Sequence, residues 1–515
     1  MKIRLTPREA YKKQMVADLI AIDKEQGLPA DYPFTIKELI EFEQKIQGKI
    51  VYPWSPGYEN DKKEFNDVYP AFPKLIVYVA NYNDIGICLM EARNRKIDTV
   101  IRSGGHSLAD YSVCDGLVVD ISNLKSFHVD KANKTLWVQA GITFEELNPQ
   151  LEFFNLHLPG GGCPSVSIAG YMQGGGYGLT SRNFGIESDC VLAFTMMLAD
   201  GTILTASASE NIDLFWAVRG GTGGNFGVLL DITYKVFDLD LVWGIALEWE
   251  IETDETYGAQ ALHAIQENYL TGNQHPNLGI ETIVYTDIPN GSRKKVRFGG
   301  CYNGDKAGLE AAVEPLKAIP GVTQVYCLQA KYSVVNNNVL EGIPAIPSNQ
   351  LPSLKFYGRS AYVSRSLSID DYKNILTYFN TVPNTFGMLD LEGYGGVINQ
   401  YPVEDSAFIH RDALFNFYTI AFFDDVTNDQ EANRIWINDF YKFLEQYTDG
   451  YSNQNYPNRD QTDFQYAYWG IYYHQLVAIK NKYDPNNFFN YQQSIGAPIS
   501  VELAAKQVML FDKNT

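Results

Sequence analysis

The sequence predicts an α+β protein of two or three domains. Three observations carry this. The chain has 515 residues, more than one hydrophobic core organises. Residues 74–103 read as strand, helix, strand: a β-branched run, KLIVYVAN, then a helical stretch after Asp84, then DTVIRS. Residues 240–440 set short strands such as LEWEIET, VRFGGCYNG and KFYGRSAYV among helical stretches, the pattern of an antiparallel sheet with helices on one side.

Composition narrows the function. The net charge of −20 argues against a nucleic-acid partner, because phosphate binding needs clustered Lys and Arg. The six cysteines (88, 114, 163, 190, 301 and 327) have no metal-ligand spacing, and the histidines are scattered, so no metal is expected. No apolar run approaches the ~20 residues of a membrane span. The first 26 residues lack an uninterrupted apolar segment, so they do not read as a signal peptide, and a cytoplasmic location is the expectation.

In chain order, residues 7–48 predict a helical lead-in on the surface, with Thr6 before Pro7 at a helix start. After the strand–helix–strand unit comes IRSGGHS at 101–107. GLVVD is a buried strand, and TLWVQAGITFEEL runs from a strand into a helix with a Thr143/Glu146 capping box. The stretch GGGCPSVSIAGYMQGGGYG follows at 160–178. ESDCVLAFTMMLADGTILTAS predicts a hairpin turning at Asp200-Gly201. DLFWAVRGGTGGNFGVLLDITYKV predicts a helix, a glycine loop and a buried strand ending near Phe237. In FNFYTIAFF, period two sends Asn416 and Tyr418 to one face, which read alone is a solvent face. His410 and Arg411, just before this strand, read as structural.

The two glycine-rich stretches at 101–107 and 160–178 each hold one nucleophilic side chain, His106 or Cys163. Glycine lets the backbone approach a ligand closely and adopt positive φ. Successive N–H groups in such runs form anion-binding concavities suited to a pyrophosphate. Read alone, Cys163 is a buried thiol and His106 a hydrogen-bonded loop residue. Neither stretch completes G-x-G-x-x-G, which counts against NAD.

Together these stretches resemble the FAD-binding loops of the berberine bridge enzyme-like flavoproteins, within the vanillyl-alcohol oxidase superfamily. The resemblance spans roughly residues 70–497, including LDLEGYGGVINQ, SAFIHRDALFNFYTIAFF and the closing KYDPNNFF and QSI. It implies a two-part FAD-binding domain of the vanillyl-alcohol oxidase type and a substrate domain with an antiparallel sheet covered by helices. The corresponding bounds are a lead-in at 1–60, the first part of the FAD domain at 61–238, the substrate domain at 239–449 and the return at 450–515. It implies FAD bonded through its 8α methyl to His106 and through C6 to Cys163. The further cofactor residues implied are Arg102, Ser103, Gly104, Gly105, Ser107, Gly162, Val166, Gly170, Gly174, Gly175, Gly178, Gly227 and Val228. Val166 falls near flavin C4a, where a small residue goes with oxidases and O2 as a partner.

Tyr456 stands at the position of the tyrosine base of oligosaccharide-oxidising relatives. A free tyrosine titrates near ~10, so a neighbouring cation or the flavin must help it. Tyr177, Asn416, Tyr418 and Leu108 fall on the substrate side. Leu108, Tyr418 and Asn453 depart from the commoner tyrosine, Gln or Glu, and tyrosine of relatives, so the substrate is left open. The implied reaction is hydride removal from a hydroxyl-bearing carbon, such as the anomeric carbon of a sugar giving a lactone, with peroxide formed from O2. The alternatives are an oxidase or cyclase of a secondary metabolite or aromatic alcohol, a dehydrogenase with another acceptor, and a non-catalytic binding protein.

Overall fold

The computed structural model describes residues 6–25, 27–272, 274–287, 293–341, 355–383, 387–423 and 430–497. The last eighteen residues of the expected C-terminal return lie outside this set. The architecture is α+β, as expected. The first helices are Pro7–Glu25 and Ile36–Lys45, the second capped by Thr35 and Glu38. They were expected on the surface. Instead Met15, Leu19, Leu39 and Phe42 are buried in the first core, and the second helix packs through its apolar face, Leu39 and Phe42.

The first sheet contains β1 (Lys49–Val51), β2 (Leu75–Tyr78), β3 (Thr99–Arg102) and β4 (Leu117–Asp120) in the order β1-β2-β4-β3. Strands β2 and β3 both run parallel to β4, which lies between them. The crossover helix is Tyr82–Arg95, capped by Asn81, so it starts before Asp84 rather than after it. Asp84 is fully buried. Its carboxylate accepts the N–H groups of Gln47 (2.7 Å), Gly48 (2.8 Å) and Ala80 (3.0 Å), tying the N-terminal helices to the sheet. A buried carboxylate needs such partners.

A second sheet, β5-β6-β10-β8-β9, is antiparallel and contains β5 (Phe127–Asp130), β6 (Thr135–Gln139), β8 (Val191–Met197), β9 (Ile203–Ser207) and β10 (Val228–Lys235). The β8–β9 hairpin turns at Asp200-Gly201, with Gly201 at φ +89°. Glu146 caps the helix Phe144–Phe153, accepting the Thr143 N–H at 3.1 Å. A short pair, β7 (Leu156–His157) with β11 (Phe237–Asp238), closes this half.

The third sheet has seven antiparallel strands in the order β15-β12-β14-β13-β17-β18-β16. They are β12 (Val242–Glu250), β13 (Leu278–Asp287), β14 (Arg293–Tyr302), β15 (Thr323–Ala330), β16 (Lys355–Val363), β17 (Gly387–Gly393) and β18 (Phe415–Phe423). Helices Thr256–Ile265, Ile369–Phe379 and Gln430–Leu444 cover one face, burying Phe415, Phe417 and Phe423 in the second core. All nine residues of β18 are buried, so its other face is not a solvent face. Among the described residues no helix is long and apolar enough to cross a membrane.

The two halves are joined by buried polar contacts. Arg411 donates twice to Asp189, at 2.7 and 2.9 Å, with both side chains at most 5% exposed. Arg182 donates to the carbonyls of Leu278 (2.6 Å) and Tyr269 (2.7 Å). Removing one partner of a buried ion pair strands the other charge, at a cost of about 3–5 kcal/mol. Arg411→Ala is expected to lower stability by about that amount, read as a fall in the urea midpoint. An unchanged midpoint would remove the pair from the interface energetics.

Candidate active site

A cavity of about 510 Å³ lies between the glycine loops of the first half and the opposite face of the seven-stranded sheet, part of which is covered by the helix Tyr332–Asn336. Strand β3 delivers the loop Ser103–Leu108 to one wall, and the loop after β7 delivers Gly161–Cys163 and Val166 to the same wall. Gly105 has φ +67°. A Cβ on Gly104 would come within 2.8 Å of the Ser167 backbone nitrogen, so the two loops pack backbone to backbone. The N–H groups of Gly104, Gly105, His106 and Ser107 have no partner among the described residues. This is a row of donors awaiting acceptors.

The two predicted attachment residues meet at one hydroxyl. Ser165 Oγ lies 3.1 Å from His106 Nε2 and 3.5 Å from Cys163 Sγ. Phe65 stacks on the His106 ring at 4.3 Å, and burial pushes the imidazole down to about 4. His106 is therefore neutral at physiological pH, the form in which a ring nitrogen can attack. Nucleophile placement, unpaired loop donors and glycine packing all suit a flavin dinucleotide.

Of the residues expected to bind the cofactor, Ser103, Gly104, Gly105, Ser107, Gly162, Val166, Gly170, Gly178 and Gly227 line the cavity. Four expected cofactor residues do not. Arg102 turns away, donating to Asp120 at 2.5 Å and to the Asp61 carbonyl at 2.8 Å, because a buried guanidinium seeks a carboxylate. A side chain on Gly174 would overlap the Asn455 amide and one on Gly175 the Phe408 ring, so these glycines serve packing. Val228 opens β10 in the first core.

The opposite wall is the sheet. Tyr456 stacks flat on Tyr418 (4.0 Å, 10°), and its hydroxyl donates to Glu392 Oε1. Glu281 stands directly across from Glu392 in the β13–β17 pairing, and Asp390 lies two residues along on the same face. These three carboxyls were not singled out from the sequence. The available signal was D-x-E in LDLEG, which sends both acids to one side of a strand. Burial raises all three. The charge of Asp390 raises Glu281 and Glu392 further. Tyr456 was expected to need help from a neighbouring cation or from the flavin. It has a carboxylate instead, and burial followed by the Glu392 charge pushes its hydroxyl well up.

Tyr177, Tyr418 and Leu108 line the cavity. Asn416 does not: it is fully buried one layer behind, donating to Glu392 Oε2 at 2.8 Å. Asn453 is also off the wall, buried with its N–H on Ser360 Oγ and its amide oxygen on Asn455 N–H. His410 is structural, stacked on Tyr362 at 4.0 Å. The C-terminal segment locks the 220–227 loop. Lys480 donates to the Asn225 carbonyl (2.6 Å), Asn225 Oδ1 accepts the Ile495 N–H (2.8 Å), and Thr222 meets the Tyr491 hydroxyl (2.9 Å).

Known proteins share this arrangement. Residues 73–207 match the FAD binding domain family, and residues 454–496 match the berberine and berberine-like family. His106 and Cys163 fall in the first match and Tyr456 in the second. An FAD-linked oxidoreductase of Dictyostelium discoideum is 30% identical over 470 residues, covering 88% of this chain and 96% of its own. The solved structure of BBE-like 1 from Physcomitrella patens gives a TM-score of 0.80 at 28% identity, over 90% of this chain and 100% of that one. A chitooligosaccharide oxidase has the same fold, with a TM-score of 0.78 at 23% identity over 89% of this chain and 98% of its own. With the site built on the fold these proteins share, the chain belongs to the berberine bridge enzyme-like FAD-linked oxidoreductases, enzymes of the vanillyl-alcohol oxidase type.

Proposed function

We propose that this enzyme oxidises a hydroxyl-bearing carbon of a small molecule, using FAD bonded to both His106 and Cys163 and O2 as the electron acceptor. The hydrogen bond from Tyr456 to Glu392 carries the reading. FAD, when bound, supplies the two-electron chemistry: it takes the hydride from the carbon and passes the electron pair to O2, giving hydrogen peroxide.

Tyr456 need not ionise on its own. As the substrate hydroxyl proton moves to the Tyr456 oxygen, the tyrosine's own proton moves to Glu392 Oε1. The net base is the carboxylate, and the high tyrosine pKa is no obstacle. Asn416, donating to Glu392 Oε2, fixes the orientation of that carboxylate. Val166 leaves room at the cofactor wall for O2.

One end of the wall facing the loops is apolar: Phe356, Met388, Ile420 and Phe422 surround Tyr418, and Leu108 packs against them from the loop side. This favours an aromatic or otherwise apolar alcohol. Oxidation at the anomeric carbon of a sugar is the other reading, supported by the tyrosine position it shares with sugar-oxidising relatives. Anaerobic addition of sugars, polyols and aromatic alcohols to the flavoprotein, followed by air, separates them. Bleaching by an aromatic alcohol with peroxide on reoxidation is expected. Bleaching only by sugars would support the second reading, and bleaching that air does not reverse would make the enzyme a dehydrogenase.

The attachment has its own test. After acid precipitation the flavin is expected to stay on the chain in the wild type and in each of His106→Ala and Cys163→Ala, and to be released only from the double variant. Flavin extracted by acid from the wild type would refute bicovalent linkage.

The proton path sets the pH dependence. Glu392 must be ionised to accept a proton, and its pKa is raised, so flavin reduction is expected to slow as pH falls through a limb above the ordinary carboxylate value of ~4.3. Tyr456→Phe and Glu392→Gln are each expected to slow reduction by about 10²–10⁴-fold, and Glu392→Gln to abolish the limb. A limb that survives in Glu392→Gln belongs to another group.

A further inference from the structure

Every charged side chain on the sheet wall of the cavity is an acid. Glu281, Asp390 and Glu392 lie together there, each at most 8% exposed, and among the described residues no Lys or Arg lines the cavity. The titratable groups facing the three carboxyls from neighbouring elements are tyrosines: Tyr171, Tyr177, Tyr332, Tyr362, Tyr394 and Tyr456, with Tyr418 alongside. Glu281 and Asp390 hydrogen-bond to each other, so one of the two carries a proton, and Asp390 Oδ1 accepts from no N–H or hydroxyl group. Among the described residues no group of three acids, His or Cys is placed to hold a metal ion.

Four hydrogen-bond donors of this wall are already committed. The Tyr456 hydroxyl is on Glu392, the Tyr177 hydroxyl on the carbonyls of Ile280 and Gly393, the Tyr171 hydroxyl on the Tyr177 carbonyl, and the Asn455 amide on the Tyr171 carbonyl. The wall therefore offers acceptors and negative charge, with the Tyr418 ring across from Asp390 on the next strand. A neutral polyol, which accepts as well as donates, finds few donors here. An anion finds only like charge. An ammonium, which only donates and is drawn to aromatic faces, is complementary to all of it.

We propose that the Glu281–Asp390 carboxyl pair is a cation subsite, and that the substrate is an amine-bearing molecule whose positive charge supplies the counter-charge missing from the protein. The proposal deepens the oxidase reading and rests on it for the identity of the wall as the substrate side. It gives the cation a second task. A positive charge beside three crowded carboxyls favours their ionised forms, so the bound substrate readies Glu392 to accept the proton. Cation binding then releases protons, and affinity rises with pH across the titration of these groups.

The test uses the purified holoenzyme and three probes that cannot turn over as alcohols: benzyltrimethylammonium, benzamide and phenylacetate. Titration calorimetry in buffers of different ionisation heat gives affinity and proton release together. Benzyltrimethylammonium is expected to bind at least about tenfold tighter than benzamide, with proton release, and tighter still at higher pH. Phenylacetate is expected to bind weakest. In Glu281→Gln and Asp390→Asn the cation's advantage is expected to shrink, and in the double variant to vanish. Equal binding of benzamide and the cation by the wild type would overturn the proposal, as would an advantage that persists in a folded double variant. Should the double variant fail to fold, the wild-type pH dependence decides: cation affinity independent of pH rejects the subsite. None of these readouts involves turnover. An enzyme that prefers the cation yet oxidises no alcohol would therefore discard the oxidase reading and leave the subsite standing.

Discussion

Glu281 faces Glu392 across the β13–β17 pair, and a sheet has period two, so Asp390 joins them on the same side. Because β18 is buried on both faces, these acids have nowhere to go but the cavity. Slipping β17 by one residue would carry Asp390 and Glu392 into the helix-covered core and bring Leu389 and Leu391 to the cavity. The second core holds the register. Leu389, Leu391, Phe415 and Phe417 fill it from β17 and β18, and their burial is what keeps the acids on the cavity side.

The cofactor wall answers a different constraint. Its two loops lie far apart in sequence yet place His106 and Cys163 on either side of one serine hydroxyl. A side chain at Gly104 would hold the loops apart, since it would meet the Ser167 backbone, and one at Gly178 would meet the Gly160 carbonyl within the second loop. Behind the loops, charge is neutralised locally. Arg102 is held by Asp120, and Glu64 lies 3.9 Å from the same guanidinium. The sheet wall has no such local neutralisation, and that asymmetry is what separates cofactor side from substrate side.

Much of this could be read from the sequence. The strand–helix–strand unit, the Thr143/Glu146 cap and the Asp200-Gly201 turn are local patterns, and local patterns are what a sequence displays. His106, Cys163 and Val166 could be placed because their glycine surroundings are contiguous. Glu281, Asp390 and Glu392 could not, because their meeting depends on pairing strands more than 90 residues apart, and each acid alone resembles an ordinary polar residue in an alternating strand. Arg102 was misassigned for a related reason: its position beside the loop is visible in the sequence, but its partner Asp120 is contributed by the next strand. Asn416 was put on the right face, one layer too shallow.

The wall of the cavity near residues 220–227 is completed by the chain's last stretch, where Lys480, Tyr491 and Ile495 clamp the loop around Asn225. During synthesis, the loops bearing His106 and Cys163 emerge from the ribosome long before this clamp exists. The nascent first half therefore offers a flavin only half a cradle. Cofactor capture becomes one of the last events in the protein's biogenesis, after the seven-stranded sheet between the two halves has left the exit tunnel. Nonsense truncation anywhere upstream of residue 480 then removes this clamp even though His106 and Cys163 have been made.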